Sequence, residues 1–399
     1  QYPEFFQHPF RNVKPESFIR LSGQNTVDAS TVNNALLWKL STKQDLDREL
    51  IDENAERAQT GNLLGVDNRY NLTYYHLNKG FLRKDSLHWF VQYGFVDHGG
   101  VSYSGDFFKL IGQGNAVFQG DTAFAGGLDF RRSRFDHLSF GVMYFFPNRS
   151  NVSFSIGPAR GMRFIDVQSP KFRVYTAPYG TETEWDVDVT ARLTPGDRQT
   201  MAFNNGNGAQ LSFDFQGLVS PEGAYAFGVH NFGFMQWRGS EFTKDTAFSY
   251  DGWNIPDFDE FTRPDAGRNA YDSIAGAFLP DSNGFNSMAW LPAYLYASYT
   301  MKFRERGAFT FKFDKVMFSP MLPRVTVGYT HFFKKLYSTT TVSTGGYSRF
   351  SLNQSFGFRW GNHAVQVQLF GVHAWPLPHR LSGLGAGVSY AWILKRKQG

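Results

Sequence analysis

Apolar and polar residues alternate strictly along much of the chain, in segments of about ten residues. In LPAYLYASYTMKFR, Ala293, Leu295, Ala297, Tyr299, Met301 and Phe303 share one face, and Tyr294, Tyr296, Ser298, Thr300, Lys302 and Arg304 the other. In ETEWDVDVTARL, Trp185, Val187, Val189, Ala191 and Leu193 oppose Glu184, Asp186, Asp188, Thr190 and Arg192. SLNQSFGFRW, AQLSFDFQG and AFTFKFDK repeat the scheme. Successive side chains of a strand point to opposite sides, so period-two alternation predicts strands with one oily and one wet face. About 9–11 residues is the length of a tilted strand crossing a bilayer.

Such segments begin near Phe18, Val66, His88, His137, Val152, Thr183, Gly208, Ala224, Phe242, Ala293, Ala308, Arg324, Ser348, His363 and Gly383. The start near Phe242 is the weakest, and the set predicts about 14 strands. Short turns with Gly, Pro, Asn or Asp join many of them, such as Phe146-Pro147-Asn148 and Trp360-Gly361-Asn362. Residues 250–289 are rich in Asp, Pro, Gly and Asn and read as one large extracellular loop. In hydrocarbon an open sheet edge leaves backbone groups without partners, so the last strand must pair with the first. The predicted fold is therefore an all-β membrane protein: a closed antiparallel transmembrane β-barrel over residues 1–399, with a partly helical N-terminal plug.

Two stretches break the period. Within 32–59, Leu36, Leu37 and Leu40, then Leu46, Leu50 and Ile51, recur at helical spacing, with Ser41 and Gln44 as a capping box. Too short and charged to span a bilayer, this pair is expected in the lumen or at the periplasmic rim, as a plug or rim segment together with residues 1–17. The second stretch, 105–114 (GDFFKLIGQG), reads as a short helix closed by glycine. Its Phe107, Phe108, Leu110 and Ile111 need an apolar cover, which the barrel interior supplies most simply.

Composition narrows the class. The 42 Phe, 19 Tyr and 9 Trp make 18% of the chain, more aromatic surface than a soluble domain ordinarily carries. A barrel uses it on the lipid face and at both interfaces. A mean hydropathy of −0.37 argues against a bundle of membrane helices but not against a barrel, whose lumen residues are polar. There is no cysteine, hence no disulfide or thiolate chemistry. Charges of both signs mix to a net +5, with no basic stripe for nucleic acid. The start at Gln1 suggests an exported protein that has lost a signal peptide.

An aromatic N-terminus, a first strand, a helical pair, then GDFFKLIGQGN with Gly112, Gly114 and Asn115, FDHLSFGVMY, IGPARG and VYTAPYGTETEWDVD follow one another. This order resembles a Bacteroidota family of outer-membrane barrels without assigned function, itself similar to the long-chain fatty-acid transporter barrels. The resemblance implies 14 strands, a lumen plugged from the N-terminus and the outer membrane of a Gram-negative cell; no enzymatic activity is expected, because no catalytic motif occurs. Related barrels serve secretion and outer-membrane assembly machines, so a role as an accessory subunit is also implied. No lipid-binding motif transfers residue by residue.

The candidate chemistry is sparse. Neither a G-x-S-x-G elbow nor H-E-x-x-H occurs. His88, His137, His331, His363 and His373 fall in or beside strands and read as lumen or interface residues. Asp257, Asp259 and Glu260 are weak calcium candidates in a loop more simply read as solvated. Gly112 and Gly114 lack the flanks of a phosphate loop, and no cofactor is implied. Expected partners are outer-membrane lipid, other outer-membrane or periplasmic proteins, and hydrophobic small molecules. The sequence slightly favours an accessory subunit of a larger complex. The alternative is a passive channel for hydrophobic molecules, with Gly157-Pro158 as a place where the wall could part.

Overall fold

A computed structural model describes residues 17–77, 81–82, 84, 86–148, 150–195, 205–250 and 283–394. The alternation appears as strands β1 (Phe18–Ala29), β2 (Asn62–His76), β3 (Leu87–Tyr103), β4 (Asp121–Phe124), β5 (Leu128–Phe145), β6 (Asn151–Thr176), β7 (Thr183–Leu193), β8 (Gly206–Ser220) and β9 (Gly223–Tyr250). The series continues with β10 (Asn283–Trp290), β11 (Tyr294–Phe303), β12 (Gly307–Val316), β13 (Arg324–Phe332), β14 (Leu336–Gly345), β15 (Phe350–Trp360), β16 (His363–Phe370) and β17 (Leu384–Ile393). Three helices interrupt them: α1 (Asn34–Thr42), α2 (Arg48–Arg57) and α3 (Gly105–Gln113).

All pairings between the named strands are antiparallel, and β17 closes on β1 with Phe18 opposite Ile393. The 17 strands make a closed barrel of 14 staves, because three staves are built from two pieces each. β4 and β5 pair in line along one edge of β6, and β7 and β8 along its other edge. β10 and β11 do the same along β9. The joints are sealed. Thr194 N donates to Phe164 O and Asn205 N to Gly161 O between β7 and β8, and Leu291 N donates to Gly233 O between β10 and β11.

The number of staves agrees with the sequence, through errors that offset. The starts near Thr183 and Gly208 are halves of one stave, and the one near Phe242 is the continuation of β9. The missed stave is β14, LYSTTTVSTG, whose Ser and Thr hide the alternation; the short pieces β4 and β10 are missed as well. The expected loop at 250–289 ends in strand β10 at residues 283–290, and 251–282 lie outside the described residues, with Asp257, Asp259 and Glu260 among them.

Parity fixes the two faces. On β1, β2, β3 and β5 the row Leu21, Leu72, Tyr93 and Leu138 is about half exposed. The opposite parity carries Arg69 and His98, which touch residues on remote strands and so face the lumen. Outward positions are apolar for up to about ten residues per stave, then turn polar at Asn25, Asn68, Asp97 and Asp136. At about 3.3 Å per residue and a tilt near 40°, that run spans roughly 25 Å, the height of a lipid belt. Above it Arg132 Nε and Nη2 each donate to Asp97 at 2.8 Å, and Arg134 Nη2 donates at 3.0 Å.

The helices correct an expectation. They leave the barrel at the end away from both described termini and pack on its outer face, neither in the lumen nor on the rim beside the termini. Leu36, Leu46, Leu50 and Ile51 bury against Ala29, Leu64, Val101 and Tyr103, all on the outward parity. The reason is strand length: β1 carries the chain past the lipid belt before the helices begin. Their outer cover is therefore the strand extension above the belt. Asn33 caps α1 by accepting from Leu36 N, and Ser104 caps α3 from Phe107 N. The Ser41–Gln44 box does not form; Ser41 Oγ instead donates to Trp38 O.

Candidate functional site: the lumen and its distal closure

The inner wall carries two apolar clusters separated by polar side chains. Near the described termini, Phe18 stacks on Tyr75 at 4.4 Å beside Phe90, Met143 and Ala391. Toward the far end, Val96, Phe135, Ala159, Phe164, Met235 and Trp237 form the second cluster, with Trp237 stacked on Phe164 at 5.1 Å. Small residues admit the rings: a Cβ on Gly161 would collide with Trp237, and one on Gly141 with Phe90. Between the clusters, His137 Nδ1 lies 2.9 Å from Ser139 Oγ, and Gln210 Nε2 donates to the same hydroxyl.

Higher in the bore, side chains from remote staves meet. The Arg69 guanidinium of β2 lies 5.0 Å over the Tyr294 ring of β11. Lys312 Nζ donates to Tyr294 Oη at 2.6 Å, and Arg324 Nη2 to the fully buried Asp314 at 2.8 Å. Tyr296 Oη donates to Asp214 Oδ1 at 2.7 Å. These charges are paired and hydrogen-bonded, as their removal from bulk water requires.

Two turns meet across the far mouth to form a latch. Residues 317–323, joining β12 to β13, and the β14–β15 turn both reach inward. His98 lies 3.1 Å from Asp67 Oδ1 through Nδ1 and 2.9 Å from Ser319 Oγ through Nε2. The hydroxyls of Ser319 and Tyr347 are 2.6 Å apart. The Tyr347 ring fills the space above Gly65 and Gly100, where any Cβ would strike it, and packs with Leu63, Tyr294, Val316 and Met321. Sequence reading missed the latch. Its residues sit in turns with no periodicity, and the two glycines that accept the ring are the available signal.

The sequence-predicted residues lie elsewhere. Leu36, Leu50 and Leu110 are buried, Phe107 and Phe108 partly so, all on the outer face. Leu40 and Ile111 are exposed. The lumenal placement of 105–114 is therefore replaced: α3 lies against α2 and the outward side of β6 and β7. Gly112 permits the contact, since a Cβ there would sit 2.8 Å from Ile51. Gly114, at φ +81°, ends the helix, and Asn115 begins a short 3-10 turn. Trp185 and Val187 also change cover. Their face meets Leu110, Phe118 and Ala123 instead of acyl chains.

Gly157-Pro158 does not part the wall. The ladder lacks two pairs there but keeps register, and a Cβ on Gly157 would collide with the Leu138 carbonyl, so the backbones touch. Among the described residues no group of three or more His, Asp or Glu is arranged to hold a metal ion. Outside the lipid belt, burial holds the His373 imidazole below its usual pKa, while its Nδ1 accepts from Leu352 N at 3.3 Å.

No family model and no curated protein sequence matches this chain. Solved structures do. The TodX deltaS2S3 mutant monoaromatic hydrocarbon channel aligns over 97% of this chain and 92% of its own, at 9% identity and a TM-score of 0.51. The P. putida toluene transporter TodX aligns over 96% and 91%, at 9% identity and 0.49. A Pseudomonas aeruginosa FadL homologue aligns over 95% and 91%, at 8% identity and 0.43. The first of these supports the same barrel architecture along nearly the whole length.

Proposed function

We propose that this barrel is a passive outer-membrane channel for hydrophobic small molecules, closed at its far mouth by the Ser319–Tyr347 latch. The observation that carries the reading is the near full-length match to a monoaromatic hydrocarbon channel. It reverses the slight preference of the sequence for an accessory role. The two apolar clusters on the inner wall support it, because they offer a nonpolar solute places to leave water on either side of a polar band. The described termini then face the periplasm and the latch faces outward. No catalytic step is assigned to it.

The test is uptake by cells whose outer leaflet resists hydrophobic solutes. Expression is expected to speed entry of toluene-class and fatty-acid probes but not of sugars of similar mass. Equal entry with and without the protein refutes the channel. The accessory reading keeps one supporting observation, the exposed Phe124 and Tyr179 beyond the lipid belt (57% and 92%). It expects a stoichiometric crosslinked partner in native membranes.

A further inference from the structure

Guanidinium groups gather on the outer wall at the height where the lipid belt ends. Arg132 and Arg134 of β5 stand outward beside Asp97. Arg160 of β6 stands beside Asp136, its Nε donating to Oδ1 at 3.1 Å, and Tyr93 Oη donates to the other carboxylate oxygen at 3.0 Å. The β5–β6 register slips between Arg134 and Phe135, which sets Arg163 directly opposite Arg134. On β9, Met235 and Trp237 point inward, so Arg238 points outward. Asn205 ties it to the same patch: Arg238 N donates to Asn205 O, and Asn205 N to Gly161 O.

Burial sorts these charges by sign. The Asp97 and Asp136 side chains are 4% and 7% exposed, while those of Arg132, Arg134 and Arg160 are 25–37% exposed. The carboxylates lie underneath, so a molecule approaching the wall meets positive charge. Among the described residues, Asp97 and Asp136 are the only carboxylates on the outward parity of β3, β5 and β6. Arg134 against Arg163 is a like-charge pair on directly opposed residues, a destabilising arrangement that an anion between them relieves.

The surface on either side of the arginines is apolar. Below them Leu138, Phe140, Phe154 and Ile156 are 42–55% exposed on the same two strands. Above them α2 and α3 cover Val101 and Leu128. The patch is therefore a notch with hydrocarbon beneath it and a helical overhang on top. Guanidinium forks match phosphate oxygens two at a time. From β5 to β9 the arginines span three strand spacings, about 14 Å, which suits a broad headgroup with more than one phosphate better than a single phosphate ester.

From these features we propose that the notch binds a phosphorylated glycolipid of the outer leaflet, of the lipid A class, with phosphate on Arg134 and Arg163 and acyl chains over Leu138, Phe140 and Ile156. The proposal rests on the orientation given above, with the described termini in the periplasm, and not on what the bore conducts. Solute uptake tests the channel, and lipid retention tests this site.

The full chain in mild detergent is offered equal amounts of bis-phosphorylated lipid A, the same lipid A stripped of its phosphates, and phosphatidylglycerol. Native mass spectrometry counts the lipid retained. The wild type is expected to keep the phosphorylated glycolipid about tenfold over each of the others, the value of one charge-assisted hydrogen bond. Excess inorganic phosphate should not displace it. Arg163→Gln/Arg238→Gln is expected to abolish the preference. Arg304→Gln/Arg306→Gln, which removes equal charge from the exposed β11–β12 turn at the opposite end, is expected to leave it intact. A second measurement needs no arginine variant: a benzophenone side chain at Ile156 should crosslink the glycolipid in cells more than one at Phe356, on the far flank. Equal retention of the stripped glycolipid or of phosphatidylglycerol, displacement by inorganic phosphate, or an unchanged preference in Arg163→Gln/Arg238→Gln overturns the proposal. So does equal crosslinking at the two positions.

Discussion

Tyr347→Ala tests whether the latch holds the channel shut. The side chain is buried (6% exposed) and joins Leu63, Tyr294, Val316 and Met321, and its hydroxyl pairs with Ser319 at 2.6 Å. Truncating a large buried aromatic residue costs about 3–5 kcal/mol. Applied to the balance between docked and undocked loop positions, the lower figure raises the open fraction about 150-fold, until it saturates. Tyr347→Phe keeps the ring and removes hydrogen bonding worth about 1 kcal/mol, so it should raise the open fraction about fivefold. Planar-bilayer conductance reads both, with heat-modifiable migration in SDS confirming an intact barrel. The graded order wild type, Phe, Ala is the signature. An intact Tyr347→Ala barrel with wild-type conductance refutes the assignment of the latch, and an increase in Tyr347→Phe equal to that in Ala shows that packing plays no part in it.

Other outcomes follow from the same contacts. Leu50→Ala removes a buried anchor of the outer helices and should weaken their attachment by about 2–5 kcal/mol. Hydrogen exchange should then rise across 34–57 while the strands stay protected. Asp97→Asn leaves Arg132 and Arg134 beside a neutral amide. The arginines are 25–28% exposed, so the loss is that of hydrogen bonds to a charged group, about 1.5–3 kcal/mol, read by urea unfolding in lipid vesicles. His373 has a folded-state pKa below 6.5, so the unfolded chain takes up its proton first as pH falls. Its contribution is therefore complete above pH 6.5 and fades as pH falls through the folded value. A histidine-selective NMR titration checks it, and a midpoint at or above 6.5 contradicts it.

The strands were legible because alternation reports faces directly. Leu295 to Phe303, and Phe311 with Phe313, have the exposed outward sides that their spacing implies. What covers a face was not legible. Trp185 and Val187 alternate as cleanly as Phe311 and Phe313, yet α3 and Phe118 cover the first pair while the second pair remains exposed. The side on which α1 to α3 dock depends on how far β1 rises before it ends, a length that hydropathy does not mark. The latch escaped for another reason: His98, Ser319 and Tyr347 are far apart in the chain and meet only once the staves close into a ring.

Helices fastened outside one flank make the molecule eccentric. On the side of β1, β2 and β3, a neighbour that itself rises above the lipid belt meets the bulk of α1 to α3 before it reaches the exposed Leu21, Leu72 and Tyr93. The opposite flank, where Phe311, Phe313, Val325, Val327, Phe356 and Phe358 stand uncovered, has no such bumper. Close side-by-side contact with another tall barrel is thus favoured away from the helical flank, which gives the protein a preferred heading among its neighbours in the plane of the bilayer.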